Sequence, residues 1–190
     1  MKKSMISVAL ALALALVAAA VQAQAPAMTS AHSPVRAAVA ALDDPTIVAI
    51  FDAANTWDIE TSQVALKKSK NKDVLAFADM MVRDHTAVRK LGRDLAAKLK
   101  VTPTPPGKDF SLYIDHVDAM KTLNGASGAA LDKAYIDHEV TYHQAVIDAV
   151  TKQLLPATKN AELKDLENKV APNFVAHLAA AKNVQQKLMK

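Results

Sequence analysis

The chain has 190 residues, 51% hydrophobic and only 4% aromatic, with alanine in excess and few glycines, a composition that suits one helical domain. The absence of cysteine excludes a disulfide framework, a thiolate nucleophile, a Cys-ligated cluster, haem attached through C-x-x-C-H and a lipid-modified N-terminal cysteine. The formal charge of +4 falls towards neutrality without Lys2 and Lys3, and no basic patch interleaved with aromatic residues appears, so no nucleic-acid partner is expected.

Residues 1–23, MKKSMISVALALALALVAAAVQA, read as a secretory signal peptide: Lys2 and Lys3 precede an apolar Ala/Leu/Val run that closes on small residues. Val21 and Ala23 stand at the two small positions before the cleavage point, so cleavage is expected after Ala23. The apolar run is short and no charged stop-transfer flank follows, so no stable membrane anchor should remain and the expected address is the periplasm. Residues 24–43 mix Ala, Ser and Pro without periodicity and read as a flexible leader, with His32 exposed in it. Residues 44–190 should form the folded domain.

Asp43-Asp44-Pro45 is a helix start, an acidic cap followed by Pro where a missing N–H does no harm. The first long helix should run to about Ser69. Its alternating line Ile50, Ala53, Trp57, Glu60, Val64 carries one acid in an otherwise apolar seam, which predicts an inward Glu60. KKSKNKD then makes a short turn into a second helix, Val74 to about Lys100. There the line Val74, Ala78, Met81, His85, Val88, Gly92, Leu95, Leu99 is apolar or small everywhere except His85. An unpaired imidazole in such a seam costs about 1–3 kcal/mol, so something in the core must bind it.

VTPTPPGKD breaks the pattern, and Phe110 to Leu123 predicts a short helix inside a long crossover, with His116 partly exposed and structural. A third long helix, about Ala129 to Leu155, shows the line Ile136, Val140, His143, Ile147, Val150, Leu154, with Glu139 one turn before His143 on the same face. His138 lies on another azimuth, beside Tyr135 and Tyr142, as a packing residue. The fourth, from Pro156 or Ala157 to about Met189, shows Leu163, Glu167, Val170, Phe174, His177, Ala181, Val184, Leu188. Pro172 inside it predicts a kink or a break.

The fold expected is all-α: a ferritin-like four-helix bundle of two antiparallel hairpins joined by a long crossover carrying a short helix. Three of six histidines occupy the seam of three different helices, with Glu60 on the fourth. Imidazole nitrogens with one or two carboxylates suit a divalent transition metal, Fe, Mn, Zn or Cu, held by Glu60, His85, Glu139, His143 and His177; no haem and no nucleotide is expected. Met81 reads as core filling, and Asp84 as a surface acid in preference to an acceptor behind a ligand. The alternative is a non-catalytic envelope stress or scaffolding protein whose histidines form a polar core cluster with Glu60, Tyr hydroxyls or buried water. The sequence assigns neither a reaction nor a protein partner.

The runs WDIETSQVALKKSKNKDVLAFADMMVRDH, LDKAYIDHEVTYH and VAPNFVAHLAAA resemble the bacterial exported family called domain of unknown function 4142, grouped with ferritin-like folds. The positions matching that family's polar motif residues are Glu60, Asp84, His85, Tyr135, His143 and His177. The resemblance implies the fold and the exported address, and no particular activity. The sequence departs from classical di-iron ferritins, whose E-x-x-H pairs are replaced here by Val82 and Phe174 three residues before His85 and His177.

Overall fold

In a computed structural model of the protein, residues 42–104 and 111–190 are described. The expected signal peptide and nearly all of the expected leader, with His32, lie outside them. Helix α1 spans Asp44–Lys68, α2 Lys72–Leu99, α3 Ser111–Gly125, α4 Gly128–Ala149, a short α5 Leu155–Ala157 and α6 Ala161–Leu188. No strand occurs among the described residues, and none of their helices is long and apolar enough to cross a membrane.

Local chemistry sets the ends. The Asp43 carboxylate accepts from the Thr46 N–H at 2.9 Å, with Pro45 in the first turn and Lys67 and Lys68 in the last, complementing the helix dipole of α1. Asn71 caps α2 by accepting from the Asp73 and Val74 N–H groups, and Lys100 ends that helix in the left-handed region at φ 55°. The Lys68 ammonium donates at 2.8 Å to the carbonyls of Leu123 and Asn124, closing the C-terminal end of α3.

The chain runs up α1, down α2, back up through the crossover that holds α3, down α4 and up α6. Tertiary hydrogen bonds fix this order. Ser69, after α1, donates to Asp132 near the start of α4, while Lys187, at the end of α6, reaches Asp73 at the start of α2. At the other end the Asp44 carboxylate accepts from the Lys159 and Asn160 N–H groups before α6, and Lys98 pairs with Glu162. Helices α1, α2, α6 and α4 therefore form a ring in which each neighbour is antiparallel, and α3 lies across α1 and α4. This is the bundle of two hairpins and one long crossover expected from the sequence.

Two places correct the sequence reading. The third helix does not run as α-helix to Leu155, because Pro156 lacks an N–H and its ring would strike the carbonyl of residue 152. Val150–Leu154 widens into a π-helical turn, with the Leu155 N–H bonded to the Val150 carbonyl. The fourth helix then starts at Ala161 rather than at Pro156 or Ala157, since Asn160 supplies the cap by accepting from the Leu163 N–H at 3.1 Å. Pro172 does not break α6, which is helical through it; tertiary burial on both sides outweighs one lost backbone hydrogen bond.

Apolar burial is split in two. One cluster gathers Phe51, Val88, Val146, Leu163 and Phe174; the other gathers Val74, Met81, Leu131, Tyr135, Ile136 and Val184. Each fully buried aliphatic or aromatic side chain contributes about 1.5–3 kcal/mol, so both halves hold the helices together independently. In the first, Phe51 lies so close to Gly92 that a Cβ there would stand 2.7 Å from the ring, which is why α2 has a glycine in its seam. Between the two clusters sits a layer of buried polar side chains.

Glu167 and Asp132 are buried acids outside that layer, and Asp132 is bonded to Ser69. Glu167 is 1% exposed; its Oε2 accepts from Thr158 Oγ1 at 2.8 Å, and its Oε1 has no hydrogen-bond partner in the protein. Burial raises its pKa, so its contribution to stability is present below the unfolded pKa and is lost as pH rises through the raised folded value. Glu167→Gln, which keeps the acceptor and removes the ionisation, is expected to melt increasingly above wild type as pH is raised from 5 to 9. An equal offset at every pH in thermal melts would show that Glu167 stays protonated or ionised throughout.

Candidate metal centre

His85 of α2, His143 of α4 and His177 of α6 are 3%, 1% and 4% exposed and meet in the polar layer. Their ring centroids are 5.5 Å apart for His85 and His143, 5.2 Å for His85 and His177, and 5.4 Å for His143 and His177. One nitrogen from each ring lies within 4.8 Å of the other two.

The three rings share one arrangement of protons. His85 Nδ1 is 2.9 Å from Asn55 Oδ1, and the Asn55 amide nitrogen donates to the Phe51 carbonyl at 2.7 Å. That second bond turns the amide oxygen towards His85, so His85 Nδ1 carries the proton and donates it. His143 Nδ1 donates to the Glu139 backbone carbonyl at 3.0 Å, an acceptor with no proton of its own. His177 Nε2 donates to the Asp84 carboxylate at 3.2 Å. The remaining nitrogens, His85 Nε2, His143 Nε2 and His177 Nδ1, are buried with no hydrogen-bond partner in the protein. Three lone pairs are thus presented together, each fixed by a bond on the far side of its ring, as second-shell partners fix ligating histidines.

Two fully buried carboxylates stand beside them. Asp58 Oδ2 is 3.5 Å from His85 Nε2 and 3.7 Å from His143 Nε2, and neither Asp58 oxygen has a hydrogen-bond partner. Glu139 Oε1 accepts from Thr61 Oγ1 at 3.3 Å, while its unpartnered Oε2 lies 3.4 Å from His143 Nδ1. Atoms of Asp58, Glu139 and His143 also lie within 4.8 Å of one another. Burial, reinforced by the neighbouring Glu139 charge, pushes the Asp58 carboxyl well up, and burial lifts Glu139 to about 8. Burial, with His143 and His177 nearby, holds His85 well below the usual imidazole range, and His177 is lowered for the same first cause. Burial thus disfavours the charged forms of His85, His177, Asp58 and Glu139 as long as no cation stands among them. A divalent cation bound there would take the nitrogen lone pairs as ligands and offset the carboxylate charge.

His85, His143, His177 and Glu139 are thereby brought together, and Glu60 is not. Glu60 Oε2 lies 3.0 Å from His116 Nε2, and the Glu60 side chain is 45% exposed. The acid that α1 turns inward is Asp58, on the buried line Phe51, Asn55, Asp58, Ser62, Ala65. An apolar search misses that line because its middle is polar. The apolar line through Trp57 and Glu60 is covered instead by α3, where Trp57 stacks on His116 with centroids 5.5 Å apart. This also corrects the expectation for His116, which is buried. The signal that marks Asp58 in the sequence is the alternation of small polar residues, Asn55, Asp58, Ser62, at helical spacing.

Asp84 is the other departure. It is partly exposed but serves as the acceptor for His177, across the bundle rather than for its neighbour His85. Burial alone would raise it, but the Arg83 and His177 hydrogen bonds outweigh that and hold its carboxyl below the usual range. The tyrosines expected to bond the histidines are engaged elsewhere: the Tyr135 hydroxyl with Ser62 at 2.8 Å, and the Tyr142 hydroxyl donating to the Ala54 carbonyl at 2.8 Å. His138 stays on the outer azimuth, its ring 5.4 Å from Tyr142, and burial lowers its pKa to about 4.

The profile of the family described as Domain of unknown function (DUF4142) matches residues 15–184. No curated protein sequence matches the chain. Among solved structures, the chain is similar to CopM in the Cu(II)-bound form, with a TM-score of 0.58 and 17% identity, over 77% of this chain and 98% of that one. At that identity the likeness is one of fold.

Proposed function

We propose that this protein, which belongs to the DUF4142 family, is an exported ion-binding bundle that holds one divalent transition-metal ion in its core. The observation that carries this reading is the set of three buried, unpartnered imidazole nitrogens, each with its opposite nitrogen already bonded. A structural polar cluster would pair those nitrogens with protein donors or buried water; the Tyr hydroxyls and Glu60 are bonded to other groups, which leaves a protonated Asp58 and water as their partners in that reading. His85, His143 and His177 would supply nitrogen ligands and Asp58 a carboxylate, with Glu139 holding His143 in place. This donor set ranks Cu(II) and Zn(II) above Fe(II) and Mn(II). The Cu(II)-bound form of CopM, a protein of similar fold, supports copper as the first metal to try. The Lys2-Lys3 start and the apolar run to Ala23 support export to the periplasm, where such an ion would be met.

Protein stripped with chelator and reloaded separately with Cu(II), Zn(II), Fe(II) and Mn(II), then desalted and assayed by elemental analysis, is expected to retain about one ion per chain for the best metal. Retention well below one for all four would overturn the reading.

A further inference from the structure

One of the three histidines, His177, lines a surface groove. Among the surface grooves formed by described residues, that between α3 and α4 is lined by Asp115, Asp137, His138 and Thr141, that between α1 and α2 by Asp52, Gly92 and Arg93, and that between α1 and α3 by Glu60 and Lys67. None of these touches the triad. The groove between α2 and α6 does, since His177 lines it together with Asp84, Ala87, Leu91, Asn173 and one cation, Lys169. Its volume is about 410 Å³, roomy enough for an ion that still carries several waters of ~30 Å³ each.

We propose that this groove is the port through which ions reach and leave the core, with Asp84 as the first protein ligand and His177 as the gate. His177 faces both ways: Nε2 is bonded to Asp84 on the groove side, and Nδ1 is the unpartnered nitrogen on the core side. The Asp84 side chain is 30% exposed where that of His177 is 5%, so a cation arriving from solvent meets the carboxylate before the imidazole. The second Asp84 oxygen is held by Arg83 at 2.8 Å, and the Arg83 side chain is 65% exposed. An incoming cation therefore competes with a guanidinium that water solvates readily, and drawing Asp84 off His177 frees that ring to turn. Asp84 is the acid of this groove, set against Lys169 and Arg83, so its charge is what keeps the mouth open to a cation, an effect that salt screens.

The proposal rests on metal binding in the core, and its test separates the two. Trp57 is the chain's one tryptophan and adjoins Asp58, so its quenching by Cu(II) in stopped flow reports arrival, and chase with a strong chelator reports release. Ala87→Phe places a ring in the groove without altering any ligand. It is expected to slow association and release by the same factor, roughly tenfold, with the equilibrium affinity held within about twofold. Asp84→Asn keeps an oxygen for His177 but removes the charge. It is expected to slow association several-fold and to flatten its salt dependence. Thr141→Phe, a plug in the α3/α4 groove, should leave both rates at wild-type values. Wild-type association rates in both Ala87→Phe and Asp84→Asn would overturn the port while leaving core binding intact. A faster release with unchanged association in Asp84→Asn would also overturn it, because that marks a residue that only positions His177. Failure of wild-type protein to bind any of Cu(II), Zn(II), Fe(II) and Mn(II) at equilibrium would overturn the core reading and the port together.

Discussion

His143→Ala is expected to abolish the metal-dependent rise in melting temperature. Ion binding to the native state alone stabilises by about 4 kcal/mol when free metal is a thousandfold above Kd. For a domain of this length that is roughly 8–16 °C. His143 touches every other part of the site: its ring centroid is 5.5 Å from that of His85 and 5.4 Å from that of His177, and its Nε2 is 3.7 Å from Asp58. Its removal deletes one nitrogen ligand and frees Glu139, so affinity should fall by orders of magnitude. The same change leaves a cavity and unpaired neighbours, which costs about 1–4 kcal/mol with or without metal. The informative comparison is therefore four melts, wild type and variant, each with chelator and with excess Cu(II). A wild type indifferent to metal, with the variant lowered equally in both conditions, would return the histidines to a structural role. Glu60→Ala belongs in the same series and should keep the full metal response, since Glu60 contacts His116 and not the core.

The second large effect concerns Asp58 and runs in opposite directions with and without metal. Without metal, Asp58 and Glu139 hold protons in the fold that they lose when unfolded. Their folded pKa values are raised, Glu139 to about 8, so the stability they contribute is full below the unfolded carboxyl range and falls as pH rises towards about 8. For Glu139 alone the shift corresponds to something on the order of 5 kcal/mol across that window. His85 and His177, with lowered values, act the other way, contributing stability above about 6.5 that is lost as pH falls below it. Between pH 7 and 8 the histidines oppose the raised carboxyls least, and metal-free wild type should lose stability there.

Asp58→Asn needs no proton, and its amide N–H groups face the lone pairs of His85 and His143 that Asp58 Oδ2 approaches at 3.5 and 3.7 Å. At pH 8 without metal the variant should melt above wild type, by roughly 1–3 kcal/mol or about 2–12 °C, because wild type must take up a proton at Asp58 in order to fold and the variant need not. With Cu(II) the order should reverse, since the variant has lost the carboxylate that offsets the ion. A variant less stable than wild type at pH 8 in chelator would mean that Asp58 is paired in the native state in some other way.

Much of this arrangement is legible in the amino-acid order. On α2 and α4 the seam is apolar or small apart from one histidine, and on α6 apart from Glu167 and one histidine, so His85, His143 and His177 stand out by helical spacing, as does Glu139 one turn from His143. Local signals also place the ends of α1 and α2, through Asp43, Pro45 and Asn71, and the long crossover announces two hairpins. These features are local or periodic, and periodicity is a property of the sequence itself.

Tertiary structure alone decided which face of α1 points inward. That helix has two covered faces, one on the bundle core and one under α3, and the more apolar of them, with Trp57 and Glu60, is the one under α3. The core face is polar from Asn55 to Ser62 because it meets the histidines, so the rule that apolar residues face inward selects the wrong line there and puts Glu60 in place of Asp58. The partnership of Asp84 with His177 is likewise invisible in sequence, being a contact between residues 93 positions apart. Sequence spacing determines which side chains share a helix face; only packing of one helix against another determines what that face meets.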